Sequence, residues 1–194
     1  MKMAKKFLAV ALAGVLALSV LTGCGASVKS KDIADSLTKM GVKVEQDDGV
    51  GATAKETLKA IEAINNSETN TGADKITLDN AVSKATGRVI KDYNISSIPD
   101  AVKKALGLFT GTGATAADKE NDGKKVQVAL VKTETATKDA SLQAAIAKDA
   151  LLTAWAPTFT EFADTGKLGT AKTSDGKYIL VVIVNDAVEK TASK

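Results

Sequence analysis

Near the carboxyl end stands the run Tyr178-Ile-Leu-Val-Val-Ile-Val184, seven apolar residues in succession. Side chains alternate between the two faces of a strand, so an unbroken apolar run needs cover on both. Asp175-Gly176 just ahead of it offers the positive-φ geometry of a tight hairpin turn, and 168–173 reads as the partner strand. A strand of this kind belongs in the middle of a sheet with helices on either side. The expected fold is therefore α+β: helices packed on a small, mainly antiparallel sheet, αβα sandwich-like.

The rest of the chain supplies the cover. Ser30 can cap a first helix with Ile33, Ala34 and Leu37 inward and Gly41 beyond its end. A bend or short strand around Val42 and Val44 leads to a loop at 46–51. A second helix is expected at 54–65, started by a Thr53/Glu56 capping box and burying Leu58, Ile61 and Ile64. Thr77 opens a third, with Leu78, Ala81, Val82, Ala85 and Val89 on one side and Tyr93 at its close. Pro99 fits the first turn of a short fourth helix carrying Val102, Ala105 and Leu106, and Gly107 its end. Residues 107–125, rich in glycine, predict a long mobile loop. Val126, Val128 and Leu130 mark a largely buried strand. A fifth helix over 140–156 would turn Leu142, Ala145, Ile146, Leu152 and Trp155 into the core.

The amino end has a different character. Lys2, Lys5 and Lys6 precede an apolar stretch from Phe7 to Leu21, interrupted by Gly14 and Ser19, which is the layout of an export signal. At about fifteen residues it falls short of the roughly 20 a spanning helix needs. Leu21-Thr22-Gly23-Cys24 follows and is similar to the bacterial lipobox, in which small residues admit the signal peptidase and the cysteine sulfur receives diacylglycerol. That resemblance implies cleavage between Gly23 and Cys24, acylation with chains such as palmitate on Cys24, and a protein held on the extracytoplasmic face of a cell membrane. Gly25 is not the aspartate that would act as a retention signal. The expected organisation is a signal peptide at 1–23, a lipidated tether at 24–30, one domain at 31–186 and a polar, solvated tail at 187–194.

Composition narrows the chemistry. The three signal-peptide lysines account for the whole formal net charge of +3, so the exported part is balanced, with both signs interleaved. Nucleic-acid binding needs a basic surplus against phosphate, and nucleic acid is not an expected partner. The chain has one cysteine and no histidine. Intrachain disulfides, Ser-His-Asp and Cys-His catalysis, and histidine-ligated metal hydrolysis are excluded. At 4% aromatic residues the chain also lacks broad stacking surfaces.

Several local patterns touch on function. Asp118-Lys-Glu120-Asn-Asp122-Gly123 opens like a calcium loop, yet the twelfth position is Ala129 where a bidentate glutamate belongs, so an ordinary polar turn is expected. Gly111-Thr-Gly113-Ala-Thr-Ala116 satisfies a relaxed dinucleotide fingerprint without the strand and helix that give it meaning. Trp155, Phe159 and Phe162 flank Pro157 and either wall an apolar ligand pocket or plug the sheet against the fifth helix. Asp47, Asp48 and Glu134 are carboxylates on expected loops, and no acid/base pair emerges from them. No catalytic residue, metal ligand or cofactor is expected.

The order Ile76-Thr-Leu-Asp-Asn-Ala-Val-Ser-Lys-Ala, Ala154-Trp155, Phe159-Thr-Glu-Phe162 and Gly169-Thr-Ala-Lys-Thr-Ser-Asp-Gly-Lys-Tyr178 resembles bacterial CAP (SCP-like) domains across 54–185. The resemblance implies an αβα sandwich. The family's helix-borne histidine would fall at Val89, and the loop bearing its second is shortened to Ala156-Pro157-Thr158. A relative of this kind would lack the cavity's metal ligands. The functional expectation is a non-enzymatic cell-envelope binding or interaction module, whose partners are a membrane through its lipid and an envelope component or protein. Two alternatives remain: a metal-free enzyme acting on envelope material, and a structural envelope protein.

Overall fold

The computed structural model describes residues 28–66, 98–132, 139–173 and 176–188. Its elements are α1 (Ser30–Lys39), β1 (Val44–Gln46), α2 (Asp48–Asn66), α3 (Asp100–Ala105), a 3-10 turn (Ala117–Lys119), β2 (Lys125–Lys132), α4 (Ala140–Ala150), β3 (Leu152–Trp155), β4 (Glu161–Phe162), β5 (Gly166–Lys172), β6 (Tyr178–Asn185) and β7 (Ala187–Val188). The expected signal peptide and lipobox-like segment with Cys24, the expected helix around 77–89, Tyr93, Glu134 and the turn residues Ser174 and Asp175 lie outside the described residues.

Five strands form the main sheet in the order β1-β5-β6-β2-β3, and β4 pairs with β7 in a separate ribbon. Only β1 and β5 run parallel; the other neighbours are antiparallel. β6 lies at the centre and all eight of its residues are buried, as the apolar run requires. Its hairpin with β5 is the expected one, with Gly176 at φ +71° and the Thr173 N–H bonded to the Tyr178 carbonyl at 3.0 Å.

The two faces of the sheet can be told apart from contacts on β5. Gly169 pairs with Val182 and lies against the first turn of α2 at Val50 and Gly51, so Val182 and Leu180 face α2 and α3. Thr170, one residue on, pairs with Val181, and its hydroxyl meets that of Ser30 on α1 at 2.6 Å. On that side α1 packs beside α4, and α4 on β2. The result is helices on both faces of a mainly antiparallel sheet, with one continuous core including Leu37, Val126, Ala144, Leu168 and Val182, each 0% exposed.

Local chemistry fixes where the elements start and stop. α1 and α3 both close with the N–H of a positive-φ glycine, Gly41 or Gly107, and of the residue after it bonded back to carbonyls of the last turn. Asp139 caps α4, accepting the N–H of Ser141 at 2.9 Å and of Leu142 at 3.1 Å.

Several expectations need correction. α2 begins at Asp48, because the Asp47 carboxylate accepts the Val50 N–H at 2.9 Å. The capping box at Thr53 and Glu56 does not form: the Thr53 hydroxyl donates to the Gly49 carbonyl, and Glu56 pairs with Lys59. α4 stops at Ala150, and its buried face is Gln143, Ala144, Ile146, Ala147 and Ala150; Leu142 is 43% exposed. The chain beyond Leu151 is the edge strand β3. The loop at 107–124 is tied down by Asn121, which is 5% exposed, donates its side-chain amide to the Leu106 carbonyl at 2.8 Å and its backbone N–H to Gly107. Finally, Ser30 belongs to α1 rather than to the tether, and Ala187 and Val188 form β7 rather than a free tail.

Candidate functional site

The three aromatic residues singled out from the sequence neither line a cavity nor fill the core. Trp155 ends the edge strand β3 opposite Val126 and is 45% exposed. Phe159, on the turn after Pro157, is 98% exposed. Phe162 is half-buried in β4, opposite Ala187 of β7. Next to it Val188, opposite Glu161, is 46% exposed. Burying a phenylalanine is worth about 1.5–3 kcal/mol, so an aromatic ring left in water forgoes most of that stabilisation.

What holds the segment in place is polar. The Ala163 N–H donates to the Asp186 carbonyl at 2.8 Å, and the Asn185 side-chain amide donates to the Ala163 carbonyl at 2.9 Å. Lys167 donates to the Asp186 carboxylate at 2.8 Å, and Lys124 lies 3.5 Å from its other oxygen. The hydrogen bond from Lys167, joined by its charge and by Lys124, holds the Asp186 carboxyl below the ordinary carboxylate range against the opposing effect of burial. Lys43 reaches Asp164 at 3.2 Å. These bonds pin 163–167 to the end of β6 while the turn carrying Phe159 projects beyond them. Ending the domain at Asp186, with a solvated tail beyond it, missed this anchor, because a single aspartate after an apolar strand carries no sign of its partners 19 and 62 positions earlier in the chain.

Among the described residues a partly open apolar hollow of about 40 Å³ lies elsewhere, bounded by Thr57 and Ile61 of α2, Val102 of α3, and Leu130, Leu152 and Leu180 of the sheet. Ligand pockets run to roughly 300 Å³ and more, and the Thr57 hydroxyl is taken by the Thr53 carbonyl at 2.7 Å. This hollow is a packing feature of the core.

Asp47, Asp48 and Asp118, the described carboxylates considered from sequence that make side-chain bonds, have structural work. Asp47 caps α2, and Asp48 accepts the Gln46 amide at 2.7 Å. Asp118 accepts both the backbone N–H and the hydroxyl of Thr115 at 2.8 Å, and those bonds hold its carboxyl below the ordinary range. Asn121, the calcium-like loop's central residue, is buried against Leu106. Among the described residues no group of three histidine, cysteine, aspartate or glutamate side chains is placed to hold a metal ion. The glycines at 111 and 113 lie in a loop followed only by the 3-10 turn, so the dinucleotide frame is not formed there.

No family model, curated protein or solved structure matches the chain. Of the residues that resemble CAP domains, Ala154-Trp155 sit on the edge strand and Gly169–Tyr178 span the hairpin, while 76–85 and Val89 fall outside the described residues.

Proposed function

We propose that the chain is a lipoprotein acylated on Cys24 and held on the extracytoplasmic face of a cell membrane, whose domain is a non-enzymatic module that binds an envelope component. The observation that carries the binding reading is the exposure of two aromatic residues close in sequence, Phe159 at 98% and Trp155 at 45%. The exposed parts of the two rings amount to on the order of 300 Å² of apolar surface, taking about 200 Å² for a whole phenylalanine, and apolar surface left in water on this scale marks interaction sites on soluble domains. Support for the anchored address comes from the order of basic residues, apolar core, small residues and Cys24, and two or more acyl chains give stable attachment.

Two measurements test the halves of this reading separately. Labelled fatty acid should enter the wild-type protein and not Cys24→Ser; equal labelling would remove the lipid anchor. A photo-reactive amino acid at position 159 of the anchored protein should form a discrete crosslink in intact cells, and the same probe at Lys59 on α2 should not. Indistinguishable crosslinking from the two positions would leave the patch without a binding role.

A further inference from the structure

The start of α1 fixes which end of the sheet lies beside Cys24. Val28, the first described residue, packs against the core, and the Ser30 hydroxyl meets that of Thr170 at 2.6 Å. Thr170 stands two residues, about 7 Å at 3.3 Å per residue, from Lys172 at the hairpin end of β5. Val28 comes four positions after Cys24, so the intervening chain reaches at most about 14 Å. An acyl chain on Cys24 therefore keeps the start of α1 and the β5–β6 hairpin next to the bilayer. Trp155 belongs elsewhere: it lies in the cross-sheet row Lys167, Val184, Val126, Trp155, which is about 17 Å along the strands from the row of Lys172.

The charges at the attachment end are not evenly engaged. Asp32 accepts the Lys29 backbone N–H at 3.1 Å, and Asp35 pairs with Lys31 at 2.7 Å. Lys148 in the last turn of α4 bonds the Met40 carbonyl at the close of α1, so α4 begins beside the start of α1, and the aspartate there, Asp139, is taken by its cap. Lys29 and Lys172 are exposed and form no ion pair among the described residues. The Lys172 ammonium lies over the hairpin turn, 3.9 Å from where a methyl on Gly176 would stand. At the far end of the sheet, by contrast, Lys43, Lys124 and Lys167 are matched to Asp164 or Asp186.

We infer that this end of the domain, with Lys29 at the start of α1 and Lys172 at the hairpin, is a surface that docks on the bilayer, its two ammonium groups resting on the phosphates of anionic lipid headgroups; this rests on the acylation of Cys24 proposed above. The attraction of a lysine to an anionic membrane acts within a Debye length of the surface, about 8 Å in physiological salt, and the short tether holds both side chains near that layer. Each lysine so placed multiplies the docked population by about fivefold. In a free protein two such contacts would be too weak to matter. The anchor makes them intramolecular, and a high effective concentration lets weak contacts orient the domain. Docked in this way, the domain keeps Trp155 and Phe159 clear of the lipid.

The test uses the full-length, acylated protein in nanodiscs rich in phosphatidylglycerol that also carry a headgroup spin-labelled lipid. Once Cys24 is acylated, an introduced cysteine is the single free thiol of the chain, so a fluorophore can be placed at Lys177→Cys beside the hairpin turn or at Phe159→Cys. Quenching at 177 is expected to exceed that at 159 by at least about threefold. Combining Lys29→Glu with Lys172→Glu should shrink the excess by at least about twofold. Moving the unaltered charges to phosphatidylcholine nanodiscs should do the same, a comparison that needs no refolded variant. Equal quenching at the two positions, or an excess indifferent to both charge reversal and lipid charge, overturns the docking surface and leaves the anchor standing. A wild-type protein that takes up no labelled fatty acid removes the anchor itself, and the docking surface with it.

Discussion

Among the described glycines, Gly169 is the one that backbone approaches most closely. A methyl group built on its α-carbon would overlap the backbone of Val50 and Gly51 in the first turn of α2. Backbone cannot swing aside as a side-chain tip can, so Gly169→Ala must push α2 off the sheet by on the order of an ångström, a gap that forfeits a quarter to a half of each dispersion contact it opens. The contacts at stake are those of Val50, Ala54, Leu58 and Ile61, all buried. Overpacking in a well-filled core costs typically about 1–3 kcal/mol, and with a whole helix displaced we expect about 3 kcal/mol. The control is Gly51→Ala in the same helix turn, where the added methyl meets nothing within 4 Å. Removing a helical glycine there should stabilise by about 0.5–1 kcal/mol. Urea unfolding followed by far-ultraviolet circular dichroism reads both. A Gly169→Ala midpoint within 0.5 kcal/mol of wild type would refute the close approach of α2 and β5.

Asp139→Ala removes the acceptor of two N–H groups at the start of α4 and should cost about 1 kcal/mol; Asp139→Asn should recover most of it in the same unfolding assay. Asn121→Ala strips the buried Leu106 carbonyl of its donor and should cost about 1–3 kcal/mol, with amide exchange across 107–124 accelerating more than elsewhere. Asp186, its pKa lowered chiefly by Lys167, stabilises the fold at pH values above its unfolded pKa. The contribution disappears as pH falls through the lower folded value. Wild type should therefore lose stability faster than Asp186→Asn on acidification below about pH 4; parallel pH profiles would contradict this.

The centre of the fold was readable because β6 satisfies one physical demand along its whole length. Every residue from Tyr178 to Val184 needed an apolar neighbour, whichever face it took, so no error of register could hide the strand. α1 was equally plain, since its three large or small apolar positions recur at helical spacing and Gly41 ends it. α4 was misphased for the opposite reason. Its sequence holds alanines at five of eleven positions, and the eye follows Leu142 and Trp155 as the larger hydrophobes. Packing beside α1 instead selects Ala144 and Ala147, both 0% exposed, because small residues allow two helices to approach closely. The start of α2 was misplaced because two capping arrangements were available within six residues, and the aspartate before the helix captured the Val50 N–H first along the chain.

The aromatic end shows why a binding surface is harder to read than a core. Trp155, Phe159 and Phe162 were noticed for their chemistry, and both destinations weighed for them, pocket wall and core plug, assume burial. Exposure depends on where α4 stops and where 163–167 is fastened, and those depend on Leu151 leaving helical geometry and on Asp186 meeting Lys167 and Lys124. Phe159→Ser isolates that distinction. With its ring 98% exposed, the substitution should change unfolding stability by less than about 0.5 kcal/mol, whereas a ring that plugs the sheet would cost several times as much. A loss above 2 kcal/mol would mean that Phe159 is buried in the working protein, and the surface offered to a partner would have to be sought elsewhere.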